Sequence, residues 1–180
     1  IKRGIALVAV KFGISFTTAF LNQAGALIHI YADGTVQVNH GGIEMGQGLN
    51  LKMLQVAAAE LGVSFERIVV TPTNTSKVPN TSATAASSGS DLNGMAIKNA
   101  TDQLKERIKS VAPEILEEIY PGKKVLSDNI IVENDSVFDS SQKEISCGFA
   151  EFCGKAYLKQ THLSSAGYYR TPDIWFDRAK

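Results

Sequence analysis

The chain has 180 residues, 44% hydrophobic and 20% charged, which is the composition of a folded domain and excludes a disordered or collagen-like segment. Eighteen Lys and Arg balance eighteen Asp and Glu, and a net charge of zero argues against a dedicated nucleic-acid binder with its basic face. No apolar run approaches the ~18 residues of a membrane span, and no signal peptide is visible. Two cysteines, Cys147 and Cys153, are too few for a disulfide framework or a four-ligand zinc site, so a reducing, cytoplasmic setting is expected. The first residue is Ile, not Met, so a processed chain or a cut-out piece is expected.

In chain order, Ile5–Val10 reads as a short buried strand. Gly13–Phe20 alternates, with Ile14, Phe16 and Thr18 on one face and Ser15 and Thr17 on the other. Ala24–Ala32 and Thr35–His40 flank Asp33-Gly34 and predict a hairpin with a type I′ turn, in which both central residues need positive φ. Ile28 and Ile30 share a face, and Val36 and Val38 can pair with them. Four glycines between 41 and 48 end that strand. Leu51, Leu54, Ala57, Ala58 and Leu61 then fall at helical spacing, with Gly62 as the stop.

Arg67–Thr71 reads as another strand, and Pro72 and Pro79 keep the next loop irregular. Half of residues 71–90 are Ser or Thr, and from Thr71 to Thr101 the charges are Lys77, Asp91 and Lys98 alone. Such a stretch is either a solvated linker or a surface that hydrogen-bonds a large polar ligand. A second helix starts between Ser82 and Asp91, with Ile97, Leu104, Ile108 and Val111 on its inner face. Pro113 opens a separate short helix ending near Tyr120. Ile130–Val132 and Val137–Phe138 predict a small hairpin around residues 133–136. Phe149, Phe152, Cys153, Ala156, Tyr157 and Gln160 mark one face of a last helix. With no internal repeat and no domain linker, residues 1–180 read as a single unit.

Two segments could carry chemistry. In His40–Leu61 a glycine-rich loop runs from a strand into a helix, where free N–H groups favour anions. It is neither a Walker loop nor a dinucleotide fingerprint, and it can also be read as a tight turn. Glu44 inside it would repel phosphate if it faced inward, so it is expected to point away or to cap local N–H groups. The second segment, Pro79–Ser90, runs small residues and hydroxyls into another helix start, which is also how an ordinary N-cap looks. Together the two could clamp the ends of an elongated anionic cofactor. His29, His40 and His162 lack metal-site spacing and read as structural. Cys147 and Cys153, six residues apart, read as buried or bystander thiols. No carboxylate pair and no nucleophile elbow stands out.

Phe12–Thr17, Phe20–Ala26, Gly41–Gly48, Val78–Ser87 and Gly167–Pro172 together closely resemble the molybdenum-binding portion of the xanthine dehydrogenase family. The resemblance spans nearly the whole chain and is weakest over Ser110–Gly148. Ser87–Gly94 resembles bacterial members, whose molybdenum part is a separate large subunit. The resemblance implies a purine hydroxylase that converts hypoxanthine and xanthine to urate at a molybdenum–molybdopterin centre. Electrons would leave through iron–sulfur clusters and FAD, carried on a small subunit, to NAD. It implies that Phe16 packs on the purine and Thr17 hydrogen-bonds it. Both can reach one substrate only if the chain departs from a regular strand there. It further implies that Met45, Gly46 and Gln47 contact the cofactor, that Ala85 and Ala86 pack beside the molybdenum (Ala86 through its backbone), and that Ser87 and Ser88 hold the pterin and its phosphate.

The family's catalytic glutamate segment, Gly-Glu-Pro-Pro, and its substrate-orienting segment, Phe-Arg-Gly-Phe-Gly-Gly, do not occur here, and Ile43 stands where many members have Thr. No catalytic residue is therefore assigned. The expected fold is α+β, with twisted β-hairpins and helices packed on one side, as part of a larger molybdopterin-binding domain. The partners implied are the remainder of the large subunit, the small subunit and a purine, with neither nucleic acid nor membrane. The alternatives are an aldehyde oxidase or another molybdenum hydroxylase and, in a different class, a non-catalytic module that holds the cofactor.

Overall fold

A β-hairpin organises the first half of the chain. Strand β1 (Gln23–Ile30) pairs antiparallel with β2 (Val36–His40), Ile28 opposite Val38 and Ile30 opposite Val36. All four are buried, as the period-two pattern predicts. The computed structural model describes residues 2–9, 13–77 and 81–177; Val10, Phe12 and Val78–Asn80 lie outside the described residues. The turn differs from expectation. Gly34 alone has positive φ, the Gly34 N–H donates to the Tyr31 carbonyl, and the Tyr31 N–H to the Thr35 carbonyl. This is a longer loop, a tight turn followed by a left-handed glycine. A turn with two left-handed central residues does occur, at Asn134-Asp135, between β4 (Ile130–Glu133) and β5 (Ser136–Asp139), as the second hairpin requires.

Strand β3 (Ile68–Val70) adds parallel to β2, and β7 (Ser164–Arg170) adds antiparallel to β1, giving one sheet in the order β3-β2-β1-β7. A second sheet has the order β4-β5-β6, with β6 spanning Gln142–Gly148. Helix α1 (Leu49–Leu61) buries Leu49, Met53, Ala57, Ala58 and Leu61; Leu51, expected inside, is exposed. Gly62 ends it in the left-handed conformation. Helix α2 (Gly89–Ile119) runs unbroken through Pro113. A proline inside a helix costs about 3 kcal/mol. Burial of Ile115 and Leu116 beyond it, worth roughly 1.5–3 kcal/mol each, outweighs that and keeps one helix where two were expected. Glu60 ties α1 to α2 through Lys105 at 2.7 Å and Lys98 at 3.5 Å. Helix α3 (Phe149–Leu158) buries Phe149, Phe152, Cys153 and Ala156; Tyr157 is exposed, and Gln160 lies past its end. The result is the α+β architecture expected, with α2 laid on the four-stranded sheet through Gly167 and Ala100.

Two expected strands are absent. Residues 2–9 have no regular structure, and Ile5, Leu7 and Val8 are exposed. A β-rich run becomes a strand only beside another, and among the described residues none lies beside it. Over Gly13–Phe20 the chain bends instead of extending. Buried Asn22 captures the backbone a ladder would use: Phe16 N–H donates to Asn22 Oδ1 at 2.8 Å, and Asn22 Nδ2 donates to the carbonyls of Phe16 and Ala19. A short 3-10 turn, Ala19–Leu21, follows. The departure from a regular strand that shared contact by Phe16 and Thr17 requires is therefore present.

Candidate functional site

The loop from β2 into α1 is fastened from several sides. Gly42 N–H donates to His40 Nδ1 at 3.1 Å, so the ring's own N–H is on Nε2 and points to Asn50 Oδ1 at 3.0 Å. Burial pushes His40 below its ordinary pKa, more than the Asn50 hydrogen bond and the Glu44 charge raise it, and keeps this ring neutral. Glu44 folds back on the start of α1. Its Oε1 accepts the N–H groups of Gly46 (2.9 Å) and Gly48 (3.0 Å), and its Oε2 accepts that of Asn50 (3.0 Å). These bonds, led by Asn50, hold its carboxyl below the usual carboxylate range. Glu44 thus caps local N–H groups, as its position in the sequence suggests. Gln47 lies along the loop: its Oε1 accepts from Met45 N–H at 2.6 Å and its Nε2 donates to the Ile43 carbonyl at 2.9 Å.

The Ser/Thr-rich segment packs against this loop. Thr84 Oγ1 accepts the Ile43 N–H at 2.8 Å. A Cβ on Gly41 would lie 2.3 Å from Thr81 Cβ, so this position needs glycine for the close approach, whereas one on Gly42 would meet the movable end of Leu49 at 2.5 Å. Composition alone leaves 71–90 open between linker and ligand surface; in its described parts, 71–77 and 81–90, Thr73 and Thr84 are hydrogen-bonded to the glycine loop. Ala86 and Ser87 are both left-handed (φ 52° and 56°), and Ser15, at φ 93°, donates its N–H to the Ala86 carbonyl at 3.0 Å. Non-glycine residues in that conformation cost on the order of 1 kcal/mol each, and such strain clusters at ligand sites.

Between the two segments lies a cavity of about 420 Å³ lined by Met45, Gln47, Lys52, Thr84, Ala85 and Ser87 together with Leu49, Gly89 and Ser90. Gly46, Ala86 and Ser88 sit beside it without lining it. Ser88 is buried and donates Oγ–H to the Ala85 carbonyl. A second cavity, about 330 Å³, brings Phe16 and Thr17 together with Ile14, Ser15, Trp175 and Phe176. Ala86 stands between the two: its neighbours line the first, and its carbonyl holds Ser15 of the second. A cavity of about 860 Å³ at the far end of β1, around Ile30 and Leu163, shares none of these residues.

The first cavity fits an anionic, polar cofactor. Ser88, before α2, makes no side-chain cap, and Asp91 is the acidic residue of that helix's first turn. Lys52 supplies a cation, and Thr84, Ser87 and Ser90 supply hydroxyls. A Cβ on Gly89 would press to 3.3 Å from Thr84. Among the described residues no group of three or more His, Cys, Asp or Glu is placed to hold a bare metal ion. Both cysteines are buried free thiols, pushed by burial to about 11 (Cys147) and about 12 (Cys153). Sequence reading does not find Lys52, Thr84 or the His40–Asn50 contact. Lys52 could be found one helical step from Leu49, but Thr84 depends on how a loop without periodicity folds back.

Comparison with known proteins agrees with this chemistry. Xanthine dehydrogenase of Calliphora vicina is 47% identical over 98% of this chain and 11% of its own length; that of Blastobotrys adeninivorans is 46% identical over 98% and 10%. The chain thus spans about a tenth of the curated relatives it matches. The crystal structure of quinoline 2-oxidoreductase from Pseudomonas putida 86 superposes with TM-score 0.73 at 26% identity, covering 84% of this chain and 19% of that one. CO dehydrogenase from Oligotropha carboxidovorans, at 23% identity over 84% of this chain and 19% of that one, shares the fold with TM-score 0.72. Residues 1–180 in full match the sequence family described as the molybdopterin cofactor-binding domain, and the chain belongs to that family.

Proposed function

We propose that the chain is a single unit of the molybdenum-binding part of a xanthine dehydrogenase that hydroxylates hypoxanthine and xanthine to urate. The observation that carries this reading is the pair of cavities joined through Ala86, one lined by anion-binding groups and the other by Phe16 and Thr17. The molybdenum–pterin group, when bound, supplies the two-electron oxidation of an electron-poor ring carbon. The chain's own residues do the positioning. Gln47 and Met45 line one wall, with Gly46 behind them in the same loop. Ser87, with its left-handed turn, and the start of α2 receive the anionic end, and Ser88 locks that turn from inside. Ala85 and Ala86 keep side chains no larger than methyl beside the centre. Phe16 offers a ring face to a flat substrate. Thr17 is exposed and its hydroxyl has no hydrogen-bond partner among the described residues, which leaves it to meet a purine edge.

Iron–sulfur clusters and FAD that pass electrons to NAD belong, in this reading, to other parts of the enzyme, arranged as a small subunit beside a bacterial-type large subunit. The parent works in the reducing cytoplasm, where buried thiols such as Cys147 and Cys153 stay free. The likeness to quinoline 2-oxidoreductase favours another aromatic heterocycle as the second reading. The test is Gln47→Ala in the intact protein. Loss of one hydrogen-bonding partner of the cofactor, worth ~0.5–1.5 kcal/mol, lowers pterin and molybdenum content, while the 180-residue chain alone holds no molybdenum. Unchanged content in the variant, or stoichiometric molybdenum in the isolated chain, refutes the reading.

A further inference from the structure

Two helices start beside one cavity, and each would draw an anion to its free N–H groups. The loop N–H groups of Gly46 and Gly48 and, inside α1, that of Asn50 are all taken by the Glu44 carboxylate, and α2 carries an acidic residue of its own, Asp91, in its first turn. Glu44 is itself held from behind. His40 Nε2–H fixes the Asn50 side chain, whose backbone N–H meets Glu44 Oε2, and His40 Nδ1 fixes Gly42 at the other end of the same loop. Thr73 Oγ1 adds bonds to the carbonyls of His40 (3.1 Å) and Gly42 (2.7 Å).

We propose that Glu44 is a positioning residue whose carboxylate stands in for a bound anion at the start of α1 and so fixes Met45–Gln47 in the shape that meets the cofactor. This rests on the reading of the loop as cofactor-binding given above. A carboxylate is required, because three converging N–H donors need an acceptor with two oxygens and no hydrogen of its own. A neutral amide in its place turns N–H groups toward N–H groups at one of the two positions.

The experiment uses the intact protein in its cofactor-free form, with Glu44→Ala and Glu44→Gln. A protease that cuts beside large apolar residues probes the loop at exposed Met45. Both variants are cut several-fold faster than wild type, the alanine variant most. Acetate slows cleavage of Glu44→Ala toward the wild-type rate, and acetamide at equal concentration does not. Inorganic phosphate likewise protects Glu44→Ala more than wild type, since the N–H groups that Glu44 held are then open to it. Cleavage of both variants at the wild-type rate, or equal response to acetate and acetamide, overturns the proposal, because a side chain that merely fills space is not replaced by a small anion. Pterin content of Gln47→Ala, measured in parallel, tests the underlying reading by itself. If it is unchanged while acetate still rescues Glu44→Ala, the cofactor reading fails and the internal anion stands.

Discussion

Gly167 is where the fold that carries the site has least room. It lies opposite Ala26 in the β1–β7 pairing, under helix α2. A Cβ there would sit 1.9 Å from the Ala96 carbonyl oxygen, 2.7 Å from the Ala100 nitrogen and 2.9 Å from the Ala100 Cβ. Ordinary contact begins at 3.4 Å, so in Gly167→Ala strand and helix must separate by about 1.5 Å at that point. The obstruction is backbone and cannot rotate away. Overpacking of this kind costs roughly 1–3 kcal/mol. Gly154→Ala makes the same chemical change inside α3, where the new methyl would lie 3.5 Å from the Ala32 carbonyl, an ordinary contact. There alanine stabilises by about 0.5–1 kcal/mol through helix propensity. Urea unfolding of the 180-residue chain reads both, and the midpoints should move in opposite directions. A Gly167→Ala midpoint at or above wild type would show that α2 does not rest on β7 at this residue, and the placement of its first turn beside the cavity would lose its support.

The two remaining predictions concern substrate choice and pH. In the intact protein Thr17→Val, which keeps size and removes a neutral hydrogen bond worth ~0.5–1.5 kcal/mol, should lower kcat/KM for xanthine a few-fold to about tenfold and spare benzaldehyde, whereas Phe16→Ala should reduce both; equal losses for Thr17→Val on the two substrates would make the hydroxyl structural. Because burial lowers the His40 pKa, the unfolded chain binds the proton more readily, so the His40 contribution is constant above about pH 6.5 and stability is lost as pH falls from there toward the lowered folded value. His40→Asn, which keeps an acceptor toward Gly42 N–H, should flatten that slope in urea titrations between about pH 7.5 and 5.5, and an unchanged slope would assign it to another group.

Features with a strict period are legible in the sequence. Ile28, Ile30, Val36 and Val38 fix the first hairpin because one slip in register would expose all of them. Ala57, Ala58 and Leu61 give α1, although exposed Leu51 is read as inward and buried Met53 is passed over, and Ile97, Leu104 and Ile108 give α2. Turn chemistry reads less well. Asp33-Gly34 and Asn134-Asp135 look alike as dipeptides, yet their loops differ, since loop length follows from the pairing of the flanking strands. Strands β6 and β7 escape because Gln142–Gly148 and Ser164–Arg170 are strands by virtue of their neighbours and carry no strong alternation of their own. The early β-rich runs err in the opposite sense, having the composition without the partner. In the site, Glu44 is legible because a carboxylate within a glycine loop has few other uses. The Ser15–Ala86 bond links residues 71 positions apart and leaves no local signal.

The strained corner at Ser15, Ala86 and Ser87 bears on how this segment can change over generations. Glycine would relieve the left-handed conformation at any of the three, and a screen that rewards thermal stability alone would drift toward it. The same change would let the corner wander, because glycine tolerates many conformations where alanine and serine are held in one by their neighbours. A lineage that keeps side chains at these positions forgoes an accessible gain in robustness and retains a stiff joint between its two cavities. Stability-guided engineering of this segment should therefore leave these three residues alone and look for its gains on α3 and the small sheet.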